Sequence, residues 1–125
     1  MDKHRQLLLK LENLDDAFNR KRRQLDEAMD DASQEKWRFN QELENLSEKI
    51  RYIYQKRDYD ASEDLPKAYH LISSIQEEGE WMVKKTVTHL ENESEEHQTL
   101  YKKQVTAYEE ELHQLKKERD LYHDR

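Results

Sequence analysis

The chain has 125 residues, of which 41% are charged and 34% hydrophobic, with one Gly, one Pro, no Cys and a formal net charge of −7. Sharp turns draw on Gly and Pro, so the chain can reverse only once or twice, which predicts long helices in an interaction protein rather than a pocketed globule. The acidic balance excludes a basic face for nucleic acid or anionic membrane, no run approaches the roughly 20 apolar residues of a membrane span, and without Cys there is no disulfide framework.

The N-terminal stretch MDKHRQLLLKLE holds only a three-leucine run and does not read as a signal peptide. A cytoplasmic protein is expected, or one that leaves with a client by a route that reads no N-terminal signal. From Leu7 onward apolar residues recur at coiled-coil spacing. One seven-residue series is Leu11, Phe18, Leu25, Ala32, Phe39, Leu46 and Ile53, with a companion series of Leu7, Leu14, Met29, Leu43 and Ile50. A stripe of this kind predicts a helix over residues 5–57, about 80 Å long. The basic run Arg20-Lys21-Arg22-Arg23 is followed at once by Asp26, Glu27, Asp30 and Asp31, which makes it a solvated helix face.

The predicted turn covers residues 58–65, within "DYDASEDLP", where Asp60, Ser62, Asp64 and the sole proline, Pro66, cluster. Ser62 or Asp64 can cap the following helix, and Pro66 fits its first turn, where a missing N–H is harmless. So short a connection predicts that the second helix, over residues 66–122, folds back antiparallel on the first. The expected fold is therefore an all-α, coiled-coil-like two-helix hairpin forming a single domain over residues 1–125. Each helix hides only one face in a lone hairpin, so association into a larger helical bundle is expected.

The second helix starts in heptads with Leu65, Ala68, Ile72, Ile75, Gly79, Met82 and Thr86. Its period then lengthens to eleven, through Gly79, Leu90, Tyr101 and Leu112, a spacing that keeps a stripe straight. The expected hairpin seam comprises Leu11, Phe18, Leu25, Phe39, Leu46 and Ile53 from the first helix, and Ile72, Ile75, Gly79, Met82 and Leu90 from the second. Residues 91–99, "ENESEEHQT", are nearly all polar; a reversal centred near residue 61 sets them against residues 27–32 and makes the hairpin loosest there.

Gly79 and Trp81 stand two apart in a sequence that otherwise reads as unbroken helix. Glycine inside a helix costs about 1 kcal/mol relative to alanine, so a packing role is expected: at a seam position it lets Phe39 or Leu43 drop in. On a helical wheel Trp37 and Trp81 each lie about 150° from their seams and face away from the hairpin partner. They are predicted as anchors for another chain, together with Tyr101, Tyr108, Leu112, Leu115 and Tyr122, where rings are covered while hydroxyls stay wet.

No catalytic or metal site is predicted, and no cofactor. Glu110 and His113 form a single E-x-x-H, the half-motif of di-iron bundles, but three residues before His97 stands Ser94, so the second half is missing. Histidine-zinc, glycine-rich phosphate-binding and nucleophile-elbow motifs are absent, and a chain with so little loop cannot converge a nucleophile, base and oxyanion hole. A non-enzyme is expected.

The segments "WMVKKTVTHLENESEEHQTLYKKQ" and "YEEELHQLKKERDLYHDR" resemble the small helical proteins encoded beside LXG-domain toxins in Gram-positive bacteria. The shared features are the mid-chain Pro turn, the long Glu/Lys/Gln-rich final helix and the close at Asp120-Leu121-Tyr122. This resemblance implies an accessory or targeting factor, chaperone-like, that binds the helical N-terminal LXG region of a toxin and enables export by type VIIb secretion. A second small helical accessory protein is an implied further partner. The wider relatives carry Trp-Xaa-Gly in the turn and a Tyr-x-x-x-Asp/Glu export signal. Here Gly-Glu-Trp lies inside a helix, and only Tyr54-Gln-Lys-Arg-Asp58 matches the signal, at the end of the first helix, departures that count against this chain carrying the signal itself and leave an escort role open. The alternatives are a different coiled-coil export chaperone and a structural homo-oligomer with no client.

Overall fold

The computed structural model describes residues 2–56 and 64–123, and these form two helices, α1 (Lys3–Lys56) and α2 (Asp64–His123). They pack against each other antiparallel, an all-α helical hairpin with no strand among the described residues. Asp2 starts α1: its backbone carbonyl accepts the first helical hydrogen bond from Gln6 N–H at 3.1 Å. Its carboxylate caps His4 N–H at 3.1 Å, satisfying a donor that has no partner within the helix. The expected turn residues divide. Asp60 and Ser62 lie outside the described residues, whereas Asp64 and Pro66 already belong to the first turn of α2. An acidic residue there favours the positive end of the helix dipole, and Pro66 gives up an N–H that the helix does not use. No described helix is long and apolar enough to cross a membrane.

The chain divides into two compact units, residues 1–26 with 91–125, and residues 27–90. In the first unit, Leu7 and Leu25 are buried, Leu11, Leu14 and Phe18 of α1 and Val105, Tyr108, Leu112 and Leu115 of α2 are half-buried, and Phe18 stacks on the half-buried His97 and Tyr101. In the second unit Leu43 and Ile72 are buried, and Phe39, Ile50, Gly79, Val83 and Leu90 are half-buried. Those four aliphatic residues are the whole buried hydrophobic core among the described residues, and each still keeps 6–9% of its surface in solvent, so neither unit has the interior of a globular domain.

Two expectations about the seam are corrected here. Leu46, Ile53, Ile75 and Met82 are exposed rather than enclosed. An α-helix with 3.6 residues per turn drifts about 20° for every seven residues, so a strict heptad series walks off the pairing face unless the helices supercoil. By Leu46, three heptads beyond Leu25, the drift amounts to about 60°, and the inward positions have passed to Leu43, Ser47 and Ile50. In α2 the same drift leaves Met82 outside and Val83 inside.

The second correction concerns register. Residues 91–99 do not face 27–32: Lys21 Nζ pairs with Glu93 at 3.1 Å, and His97 stacks on Phe18 with ring centroids 4.9 Å apart. The polar stretch is therefore filled by rings rather than left slack.

Candidate functional site

The drift that strips Leu46 and Ile53 from the seam places them on one open face of the second unit. On α1 this face carries Phe39, Leu46 and Ile53, each seven residues from the last. On α2 it carries Leu71, Ile75 and Met82, which share a stripe because they are spaced by four and seven. Phe39, Gly79, Ile75 and Met82 line an open groove of about 560 Å³ between the two helix segments. Met82 retains 59% of its surface in solvent, and Leu46, Ile53 and Leu71 on the same face retain 44%, 48% and 61%. The groove combines its apolar side chains with the charged Glu35, Arg38, Glu42 and Glu78.

Gly79 shapes the groove. A Cβ at this position would run into Phe39 Cε1 and would stand 3.0 Å from Cζ and 3.1 Å from Cδ1. The missing side chain lets the phenyl ring lie across the α2 backbone and form the wall of the groove, the packing role expected of the glycine.

Trp37 and Trp81 belong to the same unit but project elsewhere. Phe39 and Gly79 are opposite each other, and in an antiparallel pair two steps back on α1 and two forward on α2 reach Trp37 and Trp81, so the indoles stand at one level. Two steps also turn each side chain by about 200°, away from the facing helix. Trp37 is 66% and Trp81 61% exposed, and Lys85 Nζ sits 5.0 Å from the centre of the Trp81 ring as a cation–π partner.

The remaining anchors expected from sequence divide in two. Tyr122 is 86% exposed. Tyr101, Tyr108, Leu112 and Leu115, by contrast, are half-buried against α1 within the first unit, so their apolar surface is largely taken by their own hairpin. Tyr101 stacks on Phe18 with centroids 4.1 Å apart, and its hydroxyl donates a hydrogen bond to the Asp15 carboxylate. That bond, with the loss of solvent and the charges of Asp15 and Glu109, raises its pKa above the usual 10.0. His97 also stacks on Phe18, and its Nε2 lies 3.3 Å from the Phe18 carbonyl oxygen. Phe18 thus stacks with two rings of α2, each tied to α1 by a polar contact.

Glu110 and His113 are exposed on α2, and among the described residues no cluster of three or more His, Asp or Glu side chains is arranged to hold a metal ion. The groove face was not read from sequence as a site; carrying the eleven-residue period of α2 across into α1 would have separated Leu43 from Leu46 and exposed it. No family model matches the chain, and neither a curated protein nor a solved structure matches it.

Proposed function

We propose that this protein is a non-enzymatic helix-binding accessory factor whose second unit receives an amphipathic helix of another protein along the open groove. The observation that carries the reading is the apolar face of Leu46, Ile53, Leu71, Ile75 and Met82, which continues the groove lined by Phe39, Ile75 and Met82. Covering a half-exposed Leu, Ile or Met returns on the order of 1 kcal/mol, so five such side chains offset a substantial share of the association entropy. The resemblance to helical proteins encoded beside LXG-domain toxins supplies the client: the helical N-terminal LXG region of a toxin, prepared in the cytoplasm for type VIIb export. The mechanism is helix-on-helix burial, with Trp37 and Trp81 available to a second helix, such as one from another small accessory protein.

Co-expression with the N-terminal region of an LXG toxin tests this reading. Capture of the toxin region by the wild-type chain, and its loss with a Leu46→Asp/Met82→Asp double variant, is the expected result. A chain that forms a stable homo-oligomer, occupies this face with itself and ignores the toxin would instead be a structural coiled-coil protein.

A further inference from the structure

We infer that the groove of the second unit selects a helix whose apolar stripe is flanked by lysine or arginine, and that it rejects a second copy of this chain. The inference rests on the helix-binding reading above and adds the chemistry of the occupant. The apolar floor is bordered by Glu35 and Glu42 on α1 and by Glu78 on α2, against a single cation, Arg38. None of the three carboxylates makes an ion pair among the described residues, where Lys21 and Glu93 form the salt bridge present. Two negative charges therefore stand in excess at the edge of a surface whose centre is greasy. Glu35 and Glu42 are seven residues apart, about two helical turns or 10 Å, the distance separating flanking residues one heptad apart on a docked helix.

The same border argues against self-association. A two-fold symmetric interface sets a patch against itself, which would bring six carboxylates against only two guanidiniums, a net of four negative charges, to the rim of the apolar face in a chain that already carries a net charge of −7. Flanking cations on a foreign helix instead find partners at the rim, where complementary charge adds specificity and speeds encounter.

The test uses the full-length chain and a pair of fluorescent three-heptad peptides with an identical leucine stripe, one flanked by Lys and the other by Glu. The Lys-flanked peptide is expected to bind about tenfold more tightly, with the gap closing as salt screens the rim. A Glu35→Lys/Glu42→Lys/Glu78→Lys variant, altered only at exposed positions, is expected to reverse the preference, and Met82→Asp to weaken both peptides. Equal affinities, or a preference that ignores salt and the triple variant, would overturn the charge selection and leave helix binding standing. Failure of both peptides to bind, or a wild-type dimer that Met82→Asp dissociates, would overturn the inference and remove the groove as a site for a foreign helix.

Discussion

Phe39 and Gly79 are one packing unit: the phenyl ring occupies the space that a Cβ on residue 79 would need. Alanine at 79 gains about 1 kcal/mol of helix propensity but must displace the ring, and overpacking of this kind costs about 1–3 kcal/mol. Gly79→Ala is therefore expected to destabilise the wild-type chain by about 1 kcal/mol in urea unfolding, while in a Phe39→Ala background it stabilises by about the same amount. The resulting non-additivity measures the contact, and additive effects would show that the two residues do not share the site.

Leu43 and Leu46 separate the true seam from the heptad series. Leu43 is buried and Leu46 is 44% exposed. Leu43→Ala should cost about 2–3 kcal/mol, and Ile72→Ala a similar amount, whereas Leu46→Ala should stay within about 0.5–1 kcal/mol. Thermal unfolding of the three variants ranks them directly, and equal losses at 43 and 46 would place the seam where the heptads put it.

The two long helices, their antiparallel pairing, and inward positions such as Leu11, Phe18, Leu25, Ile72 and Leu90 were legible because periodicity and the scarcity of Gly and Pro fix them locally. Leu46, Ile53, Ile75 and Met82 lie off the expected seam because a seven-residue series specifies a seam only if the helices supercoil to follow it, and that depends on the pair rather than on either helix alone. The register of Lys21 with Glu93, several residues from the expected pairing, was equally hidden: turn chemistry marks where a chain reverses only to within a few residues. Gly79 was legible as a packing position, and the ring that fills it was one of the two named. The groove itself was not, since it arises from the drift.

Tyr101 makes stability sensitive to alkaline pH. Its pKa is raised chiefly by the hydrogen bond to Asp15. A group whose folded-state value lies above its unfolded value contributes stability that is fully present below the unfolded value, here 10.0, and is lost as the pH rises through the folded value. Wild type should thus lose stability faster than Tyr101→Phe above pH 10, with the two running parallel between pH 7 and 9. Identical profiles across the alkaline range would rule out a contribution from this bond.

Both indoles are open to solvent in the free chain, at 66% for Trp37 and 61% for Trp81. Single-tryptophan variants, Trp37→Phe and Trp81→Phe, should each emit near the wavelength of indole in water and be quenched readily by acrylamide. Replacing either should change stability by less than about 0.5 kcal/mol, as for a surface side chain. Blue-shifted, protected emission from either indole in the absence of a partner would mean that the chain covers it by self-association.

The central claim is that the open face of the second unit is where a foreign helix docks. Calorimetric titration of the chain with the N-terminal helical region of an LXG toxin tests it most directly. Wild type is expected to bind with a negative heat-capacity change, the mark of apolar burial, and the Leu46→Asp/Met82→Asp variant to bind at least about 100-fold more weakly while retaining its helicity. Unchanged affinity in that folded variant would contradict the account.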